Sequence, residues 1–204
     1  MLLADRRAFS AQLLEAGILQ FGEFTLKSGV KSPFYLDLRL VPSHPKLLRL
    51  VASRLVQRAS GLRFDRVCGI PLAGVALATA FALESGRPLV LVRKEAKAYG
   101  LQKQVEGVFE SGETVLVIDD VVSSGASKLE VVVPLQESGL LVRDFVVVVD
   151  RETGGKEELA QKGFGLHSLL TVRELLSDGL AVGRISQSQF DAAVDFLKLQ
   201  NAKV

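Results

Sequence analysis

Val115-Leu116-Val117-Ile118-Asp119-Asp120-Val121-Val122-Ser123-Ser124-Gly125-Ala126-Ser127 reads as a buried strand, two acids, a turn of small residues and the start of a helix. Val115 to Ile118 are apolar without alternation, the pattern of a strand covered on both faces in a parallel sheet. Asp119 and Asp120 fall at its C-terminal end, where open α/β sheets place their ligand crevice. The residues that follow suit an anion. Backbone N–H groups can converge there, Ser123 and Ser124 can donate, and the N-terminus of a helix starting near Ser127 favours negative charge. The absence of a Gly-x-x-x-x-Gly-Lys-Ser/Thr pattern argues against a triphosphatase P-loop. Acids beside a phosphate cradle fit a phosphorylated sugar, gripped directly or around a metal ion. The competing structural reading is an ordinary strand-to-helix turn capped by Ser123 or Ser124.

Outward from this stretch, strand and helix alternate. Apolar runs at Arg66 to Ile70, Pro88 to Arg93, Thr114 to Asp119 and Phe145 to Asp150 are separated by helical patterns at Val75 to Glu84 and Ser127 to Ser138. The alternation predicts an α/β fold, a central mainly parallel sheet with helices on both faces and right-handed crossovers. Pro134 should kink or shorten its helix. Upstream, Pro45 to Ala59 carries a helical stripe with Ser43 as its cap. Ala4 to Ala16 reads as a helix closed by Gly17, and Phe21 to Lys27 and Phe34 to Arg39 as strands beside turn signals at Ser28-Gly29 and Ser32-Pro33. Residues 1–40 thus form a small N-terminal α/β appendage. A helix at Glu157 to Lys162, a strand at Leu166 to Leu170 and a helix at Gln187 to Leu199 complete one domain over residues 1–204.

The composition agrees with a globular chain: 204 residues, 48% hydrophobic and 24% charged. Lys plus Arg at 25 against Asp plus Glu at 23 leaves a net charge of +2, too small for a surface built wholly for nucleic acid. Arg49, Arg54, Arg58, Arg63 and Arg66 read as the solvated side of a helix and its following turn. The single cysteine, Cys68, cannot form an intramolecular disulfide and reads as a small buried hydrophobe. Asp5, Arg6 and Arg7 interrupt any leader-like run, and no stretch is apolar for the roughly 18 residues of a membrane helix. A soluble, cytoplasmic protein with no membrane partner is the expectation.

Two further segments carry charge in suggestive places. Arg93-Lys94-Glu95-Ala96-Lys97-Ala98-Tyr99-Gly100 leaves a strand and runs on to Val105-Glu106-Gly107, longer than a simple connection. Its cations Arg93, Lys94, Lys97 and Lys103 suit a polyanion, and Gly100 and Gly107 could hinge a lid. Taken alone, it reads as a solvated charged loop. Phe24-Thr25-Leu26-Lys27-Ser28-Gly29, followed by Ser32-Pro33-Phe34-Tyr35, sets a lone lysine in a hairpin of aromatics, and alone that is a surface lysine.

The acid-acid-apolar-apolar-hydroxyl-hydroxyl-Gly-x-Ser run resembles the phosphoribosyl-diphosphate (PRPP) signature of the type I phosphoribosyltransferases. All three segments in order, with Val149-Asp150-Arg151-Glu152 and Gly154-Gly155, resemble the orotate phosphoribosyltransferase family, including the form that is the N-terminal domain of two-activity uridine monophosphate synthases. The likeness spans Phe21 to about Thr171. It implies the type I phosphoribosyltransferase fold, residues 1–40 as a hood over the base site, and transfer of phosphoribosyl from PRPP to orotate in pyrimidine biosynthesis. By the same resemblance Asp119, Asp120, Val121, Val122, Ser123, Ser124, Gly125, Ala126 and Ser127 bind ribose and 5′-phosphate. Lys27, Arg93, Lys94, Lys97, Tyr99, Leu72 and Ala73 engage pyrophosphate or the closed site. Lys27, Tyr35, Leu36, Ser123 and Arg151 hold orotate, and catalysis falls to Lys94, Lys97, Asp119 and Asp120. The planar fork of Arg151 suits a carboxylate, with a salt bridge to a neighbouring acid as the structural alternative.

The resemblance also implies Mg²⁺ carried mainly by PRPP, with no protein ligand assigned and Asp119 or Asp120 in reach. It implies a homodimer with shared active sites and a separate orotidylate decarboxylase as a candidate partner, and no decarboxylase activity is expected of these residues. The sequence departs from the family in places. Tyr99 stands where many bacterial members have His, Ala98 replaces a frequent acid, and Ser123 or Ser124 replaces a commoner Thr. Gly69-Ile70-Pro71-Leu72-Ala73-Gly74 lacks the lysine many bacterial members carry at Ala73, leaving backbone N–H groups for pyrophosphate there. These departures lean toward the synthase-type branch. A transferase for another base, a non-catalytic PRPP sensor and a scaffold role remain open alternatives.

Overall fold

The computed structural model describes residues 2–26, 29–93 and 104–201. Lys27, Lys94, Lys97, Tyr99 and Lys103 lie outside the described residues.

A six-stranded sheet, in the order β5-β4-β3-β6-β7-β8, organises the chain. Its strands are β3 (Arg66–Gly69), β4 (Leu89–Val92), β5 (Val105–Glu106), β6 (Thr114–Val122), β7 (Leu141–Asp150) and β8 (Gly165–Thr171). All neighbours run parallel except β4 and β5. Side-chain alternation along the strands divides the core in two. Leu116, Ile118, Val146 and Val148 join one apolar cluster with α2 (Pro45–Ala59) and α3 (Ala73–Ser85), whereas Val115, Val117, Phe145 and Val147 join the other with α4 (Ala126–Glu137) and α5 (Gly155–Gln161). Both faces being covered explains why these strands read as continuous Val, Ile and Leu.

The appendage consists of α1 (Leu3–Glu15) and the antiparallel pair β1 (Leu19–Thr25) and β2 (Lys31–Leu36). Ser32-Pro33, read from sequence as a turn, instead lies within β2. The buried Ser32 hydroxyl donates to the Phe34 carbonyl at 2.7 Å, and a two-stranded sheet offers the edge position that proline tolerates. Residues beyond Leu36 leave the strand, and Leu38–Ser43 form a 3₁₀ turn whose start is tied by the Asp37 carboxylate accepting from Arg39 N–H. Pro45 opens α2 as expected, yet His44 and not Ser43 precedes it, with no side-chain cap.

Three further differences bear on the site. β6 runs to Val122 rather than stopping at Asp119, so both acids are strand residues, Asp119 opposite Val147 of β7. Val105–Glu106, read as the tail of a loop, pairs back on β4 as an edge strand. A helix at Val172–Ala181 (α6) was not expected at all. It starts on a capping box in which Thr171 and Glu174 satisfy each other's backbone N–H groups. Arg6 of α1 forks onto the buried Asp178 of α6 at 2.9 and 3.0 Å and reaches Glu174 at 2.7 Å, which fastens the appendage to the main domain. α4 continues through Pro134 to Glu137, and α7 (Gln187–Asn201) packs Phe196 edge-on against Phe34 of β2. Of the five arginines read as a solvated helix side and its following turn, Arg49, Arg58 and Arg63 are exposed as expected, whereas Arg66 is half-buried and forks onto Glu113 at 2.7 Å. Among the described residues no helix is long and apolar enough to cross a membrane.

Candidate functional site

The parallel strands converge, at their C-terminal ends, on the acids of β6. Asp119 is 6% exposed and turned toward the α4 side, following the alternation that buries Val117 there. Its Oδ2 accepts from Lys128 Nζ at 2.5 Å, and the same ammonium, 3% exposed, donates to the Val121 carbonyl at 2.6 Å. Asp120 is half-buried and accepts from the N–H of Val121 at 2.7 Å. Burial, reinforced by the neighbouring Asp119 carboxylate, pushes the Asp120 carboxyl up to about 7. The two acids are therefore unequal: Asp119 is anchored by a buried lysine, whereas Asp120 is half-buried at the next position of β6 and lies within the field of Arg39.

Helix α3 abuts this pair closely. A Cβ on Gly69 would stand 2.3 Å from the Gly74 carbonyl oxygen, and a Cβ on Gly74 would stand 2.5 Å from the Ile118 carbonyl oxygen and 3.0 Å from Asp119 Oδ1. Only glycine permits such an approach. The β3-to-α3 connection is thereby held beside the acids, with Leu72 82% exposed and Ala73 half-buried.

Between β6 and α4, Ser124 is exposed and Ser123 half-buried. Neither caps the helix, whose N-cap is Gly125 without a side-chain bond. The capping reading is thus corrected: the chain needs one more residue to clear β6, which puts glycine at the cap and leaves both serine hydroxyls without an intramolecular partner among the described residues. The connection is stitched to the next one along the sheet. The Thr153 hydroxyl donates to the Ser123 carbonyl at 2.7 Å, and Gly125 N–H donates to Glu158 Oε2 at 2.7 Å. The side chain of Val122 is fully buried, whereas that of Val121 is half-buried. Ala126 and Ser127 open α4.

Arg151 follows the end of β7, its backbone N–H donating to the Val122 carbonyl at 2.9 Å. Glu152 beside it adopts a left-handed conformation, φ 56°, secured by its N–H on Asp150 Oδ1 at 2.8 Å and its carboxylate on Arg173 N–H at 3.1 Å. This turn lays the Arg151 guanidinium over the Phe34 ring, 5.8 Å from its centroid. Burial holds its pKa below the usual guanidinium range, and Nε is buried with no hydrogen-bond partner. No acid pairs with Arg151 among the described residues, so the salt-bridge alternative fails. A buried donor of this kind is costly unless a ligand completes it.

The hood supplies the opposite wall. Tyr35 is half-buried and packs on Phe24, ring centroids 5.5 Å apart. Leu36 is 8% exposed and belongs to the core, so it can meet a ligand only through its backbone. Arg39, missed from sequence, donates to the Tyr35 hydroxyl at 3.1 Å, pairs with Asp37 at 2.6 Å and feels the charge of Asp120. It links hood to acids, but its position in a 3₁₀ turn gives no periodic signal. Lys128 and Glu158 were missed as well. Lys128 stands in register with Val131, Val132 and Leu135, the buried stripe of α4, and a lysine on such a stripe was the available clue. Arg93, at the end of β4, pairs with Glu106 at 2.8 Å and donates its N–H to the Gln104 carbonyl, so the two ends of segment 94–103, which lies outside the described residues, are joined.

The site therefore joins a serine-bearing turn at the start of α4, one acid anchored by a lysine with a half-buried acid beside it, and an unsatisfied arginine under an aromatic hood. No protein-family model matches the chain. Over 165 residues it is 42% identical to the orotate phosphoribosyltransferase of Pyrococcus furiosus, covering 80% of this chain and 91% of that one. Over 166 residues it is 44% identical to bovine uridine 5′-monophosphate synthase, covering 80% of this chain but 35% of the synthase, so it spans about a third of that longer relative. Among solved structures, the UMP synthase of Leishmania donovani superposes with a TM-score of 0.88 at 34% identity, over 95% of this chain and 42% of that one.

Proposed function

The chain belongs to the orotate phosphoribosyltransferase family, and from that premise we propose that it transfers the 5-phosphoribosyl group of PRPP to orotate, giving orotidine 5′-monophosphate and pyrophosphate. The observation that carries this reading is Arg151. Its guanidinium is stacked on Phe34 and holds a buried, unpartnered Nε beside the end of β6, where a planar carboxylate on a flat ring would complete it. Orotate offers that carboxylate, whereas uracil, adenine and hypoxanthine do not.

Breaking the bond from ribose C1′ to diphosphate leaves cationic character on the sugar and negative charge on the leaving group, so catalysis rests on charges fixed in advance. Asp120 would accept from ribose hydroxyls and face the developing cation. Ser123, Ser124 and the N-terminal N–H groups of α4 would hold the 5′-phosphate. Lys94 and Lys97, with Arg93 at the loop base, would neutralise pyrophosphate. The donor set fits Mg²⁺ arriving on the diphosphate, since among the described residues the Asp120 carboxylate has no lysine or arginine bonded to it while one oxygen of Asp119 is taken by Lys128. When bound, the ion would supply further positive charge to the leaving group.

The test is the loss of orotate absorbance on adding PRPP and Mg²⁺, with uracil, adenine and hypoxanthine as competitors. Consumption requiring both additions and resisting the competitors is expected; PRPP binding without turnover of any base would sink the proposal. We further propose a homodimer whose lid lysines serve the partner's site. Mixing a Lys94→Ala chain with an Asp119→Asn/Asp120→Asn chain, each inactive alone, is expected to recover activity, and an inactive mixture argues for self-contained sites.

A further inference from the structure

Two adjacent acids at the end of a strand would ordinarily repel each other and gather a cation. In this chain a third charge is already built in. Lys128 rises from the first turn of α4 on its buried stripe, and its ammonium is nearly sealed from water. It has two partners: Asp119 Oδ2 at 2.5 Å and the Val121 carbonyl at 2.6 Å, one on each side of Asp120 in the chain. The carbonyl bond fixes the ammonium even when the carboxylate moves. The remaining oxygen of Asp119 faces the backbone of α3 at Gly74, where a Cβ would stand 3.0 Å away. Asp119 is thus enclosed on both sides, and with both carboxylates ionised the pair would carry one net negative charge with Lys128 present and two without it.

We propose that Lys128 is a positioning residue for the transfer reaction: a resident counter-ion that immobilises Asp119, presents Asp120 alone to the ribose, and keeps the acid pair from taking up a divalent cation before the substrate brings one. The assignment rests on the functional reading above. A lysine is suited to this place because its compact ammonium can serve a carboxylate and a carbonyl at once, and a buried ion pair completed by a second bond is held in one geometry.

The experiment uses the full-length wild type and the variants Lys128→Met, Lys128→Gln and Lys128→Arg. The glutamine form keeps N–H donors while losing the charge, and so covers the case in which methionine leaves Asp119 too poorly satisfied to fold. Mn²⁺ is titrated into ligand-free protein and followed by electron paramagnetic resonance, and PRPP binding is measured by calorimetry without orotate. Losing the charge should let Mn²⁺ bind about tenfold tighter in the Met and Gln forms, PRPP bind about tenfold more weakly, and the orotate KM stay within about twofold, with Arg restoring wild-type behaviour. Met and Gln forms that match the wild type in both titrations overturn the assignment, as does an equal rise in both substrate constants with no change in Mn²⁺ affinity. A wild type that binds no PRPP overturns the functional reading itself, whereas a wild type that binds it normally alongside unaltered variants overturns only the role of Lys128.

Discussion

Alanine at Arg151 is expected to raise the orotate KM about a hundredfold while the PRPP KM stays within about threefold, since a forked bond between charged partners is worth roughly 3 kcal/mol. The asymmetry follows from placement. The guanidinium lies under the hood on Phe34, whereas the elements assigned to PRPP stand at β6 and α4. Lysine at the same position should recover little of the loss, because an ammonium cannot meet two carboxylate oxygens in one plane or stack on the ring in the same way. Folding should be spared: the ligand-free protein carries a desolvated cation with an unsatisfied Nε, and truncating it removes that cost. Steady-state kinetics varying each substrate, with a melting curve beside them, decides it. Equal losses in both constants, or an unchanged orotate KM, would refute the assignment.

Asparagine at Asp120 should act in the opposite sense on activity and on stability. Removing a carboxylate fixed beside a developing cation costs about 3 kcal/mol of transition-state stabilisation, a fall of roughly a hundredfold in turnover. The same change should raise the melting temperature, and do so more at pH 8 than at pH 4.5. The sign follows from linkage. Burial and Asp119 lift the Asp120 carboxyl to about 7, above the ordinary carboxylate near 4 in the unfolded chain. Below about pH 4 both states hold the proton and the residue is neutral to stability; between about 4 and 7 the unfolded state releases it first, so stability drains away as pH rises through that window. Asparagine carries no proton to lose. A melting-temperature gain that is the same at both pH values would show that Asp120 is not held unfavourably.

Strand cores and their mainly parallel arrangement were legible because double burial forces unbroken Val, Ile and Leu, and the acids near the end of β6 stood out against that background. Boundaries were less so. Ser32-Pro33 looked like a turn because proline seldom enters a sheet, but a two-stranded hood has free edges. The α6 helix was overlooked although Thr171-Val172-Arg173-Glu174 carries its capping box, and β5 was hidden because two residues show no period. At the site, Asp120, Ser123, Ser124 and Arg151 could be read from a local run or from resemblance. Lys128, Glu158 and Arg39 could not, since each acts through a contact with a segment distant in sequence or across a turn without a repeat. Leu36 matches an orotate-holding position only by resemblance, and alternation along β2 turns its side chain into the core, leaving its backbone for a ligand.

Cys68 sits in β3 between β4 and β6 with no exposed surface, its thiol pushed up to about 12 by burial. Since this is the chain's single sulfhydryl, it amounts to a clock sealed inside the sheet. A thiol reagent must wait for the central strands to part, so its labelling rate reports how often the whole domain opens, with no dye, tag or substrate required.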